Sequence, residues 1–260
     1  MHIANNILKH SLRPERIPTH SIQHIETLHS ALARDNVKGC VRTRNVYFLT
    51  GTMLAGKTTM CKVLSEKHGF IWFDYNHNGE PFKKWLSLCE EKYQPLQFAR
   101  DKRYSKQGNY DWDAHFNRPA VEIIAEQEGR DSDDEFLEFV MIELVKLSQN
   151  NKVIIDFSGP TDVLVQIADN DRIAYLLTAP HLATTENYGS RDDHKDFYNW
   201  ILSLNEPEKK MAKQDEIFKI YAERNFVEAR KCNLFTIIRT EESTIENTLK
   251  LLEQHFGLTN

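Results

Sequence analysis

The residues best suited to chemistry lie in one octet, Gly51-Thr52-Met53-Leu54-Ala55-Gly56-Lys57-Thr58, which fits the spacing G-x-x-x-x-G-K-[ST]. Glycines at its first and sixth places allow a tight turn whose backbone N–H groups converge on phosphate oxygens, and the helix that follows adds its positive N-terminal end. Lys57 then reaches the β- and γ-phosphates, while the Thr58 hydroxyl, followed by Thr59, is placed to ligate Mg²⁺. The octet implies that the chain binds the phosphates of a purine nucleoside triphosphate; the expected nucleotide is ATP with Mg²⁺, and its expected use is as a phosphoryl donor.

A second oxygen ligand for Mg²⁺ is found in Val153-Ile154-Ile155-Asp156, an apolar run ending in a carboxylate. At a strand's carboxyl end beside such a loop, an Asp can hold the metal directly or through water, although it can also cap the following turn. Lys83, Lys84, Arg100, Lys102, Arg103 and Arg118 give the middle of the chain a basic character that suits a phosphorylated or carboxylated acceptor or, equally, a solvated helix face. Of these, Arg118 is singled out because it precedes Pro119 at a helix start. His181 and His194 lack metal-ligand spacing, and Trp72, Trp85 and Trp200 read as packing residues.

These residues need a scaffold of strands and helices. Short apolar runs at Asn45–Thr50, Phe70–Asp74, Lys152–Asp156, Arg172–Thr178 and Leu234–Ile238 read as strands, and Lys57–His68 reads as a helix stopped by Gly69. Strands separated by helical or long segments imply an α/β fold with a parallel sheet covered on both faces. About 75 residues separate the second and third runs, more than one crossover helix needs, so residues 80–150 are expected to form a helical insert on the substrate side. Its helices are expected at Pro81–Glu91, Pro119–Glu128 and Asp133–Gln149, with Ala99–Asp113 as an exposed loop. Residues 181–213, mixing Gly189, Arg191, Asp192, Asp193 and Lys195 with aromatic side chains, have the composition of a cover over the site. Residues 1–44 form an extension with an amphipathic helix at Ser21–Ala33, and residues 45–260 form the main domain.

The chain has 260 residues, 40% of them hydrophobic and 27% charged, which suits a packed globular domain. A net charge of −5 argues against a broad nucleic-acid surface, because affinity for phosphate backbones comes from clustered Lys and Arg. Cys40, Cys61, Cys89 and Cys232 are scattered, with no paired spacing for a disulfide framework or zinc. With no apolar run of membrane-spanning length and no signal-peptide pattern, the expected place is the cytoplasm and no membrane partner is expected.

From about Asn45 to Phe256 the chain resembles the P-loop small-molecule kinases, the nucleoside monophosphate kinase and shikimate kinase-like group. The string Val153-Ile154-Ile155-Asp156-Phe157-Ser158-Gly159-Pro160-Thr161 is similar to the third-strand motif of adenylate kinases, with the Gly displaced and the Arg missing. The resemblance implies a three-layer P-loop NTPase fold with a five-stranded sheet in the order 2-3-1-4-5, an insert after strand 2 and a lid between strands 4 and 5. It also implies that Asp74, at the end of the second strand, orients or deprotonates the acceptor hydroxyl. Glu223-Arg224-Asn225-Phe226-Val227-Glu228-Ala229 is similar to the helix preceding the last strand in these kinases, which implies that Arg224 points into the site. Arg191, in the lid, is implied as the arginine that closes on the transferring group. Asp74, Arg118 and Arg224 then face the acceptor, a nucleotide, sugar-like or other hydroxyl metabolite.

Two other classes are open to a chain with such a loop. Asp156-Phe157-Ser158-Gly159 also fits the D-x-x-G string of a regulatory GTPase, but no Asn-Lys-x-Asp string follows the fourth strand, Ile173–Thr178. The alternative is a nucleotide-gated binding or regulatory protein without a small-molecule acceptor.

Overall fold

The computed structural model describes residues 43, 45–74, 112–131, 134–190 and 195–259. The helices expected at Ser21–Ala33 and Pro81–Glu91, together with Arg191 and His194, lie outside these residues. Five strands form one parallel sheet: β1 (Val46–Gly51), β2 (Ile71–Phe73), β3 (Val153–Asp156), β4 (Ile173–Thr178) and β5 (Phe235–Arg239). Their order is β2-β3-β1-β4-β5, as the kinase resemblance implies.

The order explains the composition of each strand. Central β3 and β4 are buried along their whole length and β1 along all but its last residue, so they read as continuous apolar runs. Edge strand β5, with sequence FTIIR, passes from half-buried to exposed. Its last residue, Arg239, lies one position beyond the expected end of the strand, because the ladder continues to the Thr178–Arg239 pair.

Alternation along the central strands divides the core into two layers. Val46, Phe48, Val153, Ile155, Ile173 and Tyr175 face one side. They are covered by helix α4 (Asp134–Ser148) through Val140 and Leu144, by α5 (Thr161–Ile167) through Leu164, and by the 26-residue α8 (Pro207–Cys232) through Ala229. Tyr47, Leu49, Ile154, Ala174 and Leu176 face the other side. There they meet α1 (Lys57–His68) through Met60, Cys61 and Leu64, and α9 (Ile245–His255) through Leu252. Helix, sheet and helix form the three expected layers. Each fully buried large side chain in them contributes about 1.5–3 kcal/mol.

Helix α1 has the predicted bounds, and Gly69, in the left-handed region at φ 69°, returns its N–H to the Ser65 carbonyl. Of the insert, the described residues hold α2 (Trp112–Phe116), α3 (Ala120–Asp131) and α4. Trp112 and Asp113 were expected in a loop but open α2. The indole of Trp112 meets that of Trp200 edge-on at 4.2 Å, which orders this turn in a way local composition does not disclose. The described part of residues 181–213 is mostly helical, with α6 (Thr185–Gly189), α7 (Lys195–Leu202) and the first turns of α8. Ala120, Ile123 and Ile124 of α3 pack on Ile217 of α8, so this long helix ties the insert to the sheet. No helix among the described residues is long and apolar enough to cross a membrane.

Candidate nucleotide site

Strand β1 ends at Gly51, and the chain turns through residues 52–56 before α1 begins at Lys57. Gly51 has φ 119°, and a Cβ there would lie 2.1 Å from the Leu176 carbonyl oxygen, so no other residue fits. Gly56 has φ 85° with open space around it, so its requirement is conformational alone. Between them Leu54 also takes a left-handed conformation, φ 66°, which costs a non-glycine residue about 1–2 kcal/mol. Such a conformation persists only where the surroundings fix it.

The ends of the neighbouring strands supply that fixing. The Thr52 N–H donates to the Leu176 carbonyl at 3.0 Å. Buried Thr178, the last residue of β4, contributes twice: its N–H donates to Thr52 Oγ1 at 2.6 Å, and its hydroxyl donates to the Met53 carbonyl at 3.0 Å. Arg239, the last residue of β5, donates from Nη1 to the Leu54 carbonyl. Thr178 and Arg239 did not stand out in the sequence; the available signal was a polar residue closing an apolar strand of a parallel sheet, where ligands gather.

The predicted chemical residues meet on the other side of the loop. Lys57 Nζ donates to the Thr52 carbonyl at 2.9 Å and lies 3.8 Å from Asp156 Oδ1. Thr58 Oγ1 donates to Asp156 Oδ2 at 2.6 Å. Asp156 is buried, so a lysine and a hydroxyl meet its charge in place of water. A hydroxyl and a carboxylate form an all-oxygen donor pair, which fits Mg²⁺ and its remaining waters better than a soft metal. Thr58 and Asp156 are the residues that could hold it.

Asp74 is the residue after β2, which ends at Phe73. Phe73 pairs with Ile155, so Asp74 follows level with Asp156 at the adjoining strand end, about 5 Å away by backbone spacing. It is half-buried. Cys61, one turn after Lys57 on α1, is fully buried beneath this cluster. Burial, followed by the charge of Asp156, pushes its thiol well above the ordinary range; Lys57 opposes this and Asp74 adds to it. A thiol held protonated in this way is packing, not a nucleophile.

Arg118 lies just before α3, where its Nε is 3.8 Å from Glu122 Oε2 one turn along. Arg224 lies on an exposed position of α8, eight residues before that helix ends at Cys232. The aromatic residues are structural: Trp72 lies half-buried on β2 with the Lys62 ammonium 5.3 Å from its ring, and Trp200 pairs with Trp112. Exposed His181 meets Glu241 at 2.6 Å.

No family model matches the chain, and no curated protein sequence does. Among solved structures, it is similar to a shikimate kinase from Bacteroides thetaiotaomicron, with 16% identity and a TM-score of 0.40 over 80% of this chain and 96% of that one. It is similar to a dephospho-CoA kinase from Campylobacter jejuni, with 14% identity and a TM-score of 0.38 over 83% and 100%. A shikimate kinase from Acinetobacter baumannii, in complex with shikimate, gives 18% identity and a TM-score of 0.34 over 84% and 96%. Likeness at that level carries no argument about chemistry, which rests on the site itself. With its sheet order β2-β3-β1-β4-β5, a glycine loop leaving the central strand and a carboxylate at the end of β3 bonded to the loop's threonine, the chain has the three-layer fold of a P-loop NTPase.

Proposed function

We propose that this chain is an ATP-dependent kinase that transfers the γ-phosphoryl group to a small-molecule acceptor: a nucleotide, a sugar-like compound or another hydroxyl metabolite. The observation that carries the reading is the shared use of Asp156, which takes the Thr58 hydroxyl on one oxygen and faces Lys57 with the other, with a second carboxylate, Asp74, at the adjoining strand end. A switch or binding module needs only the first part of this set. Transfer to a hydroxyl also needs a group for the acceptor's proton.

In this reading the loop from Gly51 to Thr59 encloses the triphosphate and Lys57 turns from the Thr52 carbonyl to the β- and γ-oxygens. Thr58 and Asp156 hold Mg²⁺, which when bound neutralises charge on those oxygens. Asp74 accepts a hydrogen bond from the acceptor hydroxyl, aligns it with the γ-phosphorus and takes its proton as the new O–P bond forms and the bond to ADP breaks. Arg224 and Arg191 stabilise the charge of the transferring group, and Arg118 helps to receive the acceptor. Residues 80–150 supply acceptor specificity and residues 181–213 act as the lid.

The test is Asp74→Asn, which keeps the shape of the side chain but removes the base. Turnover should fall by about 100-fold or more, the range of general-base effects, with ATP affinity held within about threefold. Equal loss of turnover and affinity would remove Asp74 from the role of base.

A further inference from the structure

We propose that Arg239 is a positioning residue for the phosphate loop, holding its middle in the shape that binds nucleotide. The inference rests on the kinase reading for what the loop binds, but not for how the loop is held.

Three consecutive residues of the loop are fastened from behind. Thr52 and Met53 are held by the end of β4 through Thr178, and Leu54 by the end of β5 through Arg239. Residues 178 and 239 are themselves a ladder pair, so the two fastenings form one edge of the sheet. Within the loop, Leu54 alone is both left-handed and not glycine, and its carbonyl is the one that Arg239 engages. Rotation of Leu54 back toward the common φ region would swing that carbonyl off the guanidinium and carry Ala55 and Gly56 with it. Those residues enter α1, where the phosphate-binding N–H groups begin. Arg239 therefore fixes the donors through the Leu54 carbonyl.

The test compares Arg239→Met, which keeps the stem and removes the donor, with Arg239→Lys, which keeps a cationic donor. Two quantities are read: hydrogen exchange of the 54–57 amides in the ligand-free protein, and the Kd for Mg·ATP. In Arg239→Met, exchange should quicken and Mg·ATP binding should weaken, each by about tenfold, the scale of one hydrogen bond to a charged group. Arg239→Lys should recover both to within about threefold, and the ligand-free Tm should stay within a few degrees in both variants. Unchanged exchange in the methionine variant overturns the proposal, whether or not affinity falls, because affinity lost without loosening would be the effect of charge alone. Faster exchange with unchanged affinity overturns it as well. If the methionine variant does not fold, Arg239→Leu, which also lacks a donor, carries the same two readings. A wild-type protein that binds no Mg·ATP defeats the kinase reading instead, and the exchange measurement still decides whether Arg239 holds the loop.

Discussion

Thr58 and Asp156, 98 residues apart in the chain, meet at 2.6 Å, hydroxyl to carboxylate, at the point where α1 leaves the glycine loop and β3 ends. The contact depends on the register that sets Leu49 of β1 against Asp156 of β3. If this pair is the Mg²⁺ site, Asp156→Asn should lower the gain in ATP affinity that Mg²⁺ confers by about 10- to 100-fold, while metal-free ATP binds as before. Titrations with Mg²⁺ and with a chelator check this. A variant with the full Mg²⁺ effect would release Asp156 from the metal.

The two loop glycines should differ in what substitution costs. Gly51→Ala drives a methyl into the Leu176 carbonyl and adds strain at φ 119°, so a loss of about 3 kcal/mol or more is expected. Gly56→Ala meets nothing within 4 Å and should cost about 1–2 kcal/mol, from the left-handed backbone alone. Denaturant unfolding separates them, and equal losses would contradict the difference in space.

Acid should weaken the sheet's edge through His255. Its ring stacks on Phe235 at 4.1 Å and its Nε2 donates to the Ile173 carbonyl at 2.9 Å. Burial holds its pKa below the ordinary histidine range, with the Ile173 bond and Asp171 opposing and Arg172 adding to the depression. The folded state thus keeps the ring neutral where the unfolded chain binds a proton. Stability is full above about pH 6.5 and declines as pH falls from there toward the folded value. Tm measured at pH 7.5 and 5.5 should drop more in the wild type than in His255→Gln; parallel drops would place the acid sensitivity elsewhere.

Much of this site was legible in the sequence because its chemistry is local. Gly51, Gly56, Lys57 and Thr58 occur within eight residues, and Asp156 ends an apolar run that reads as a buried strand. Helix α1 was legible to both ends because Gly69 stops it in the left-handed region. Thr178 and Arg239 were not legible, since what they do depends on carbonyls 125 and 185 residues away. The helical turn at Trp112 is not legible locally, because its ordering partner, Trp200, belongs to another segment. Arg224 takes its role from the resemblance, and Arg118 from its place before Pro119 at a helix start.

ADP release from Mg·ATP, measured across a library of small hydroxyl and phosphorylated metabolites with the wild type and with Lys57→Ala, decides whether this chain is a kinase. Lys57 binds the Thr52 carbonyl and faces buried Asp156, so a thermal melt of the variant accompanies the assay and separates loss of the phosphate contact from loss of the fold. At least one acceptor class should raise ADP release in the wild type, and the lysine variant should lose this by about 100-fold or more. ADP release indifferent to every acceptor, or retained by Lys57→Ala, would contradict it.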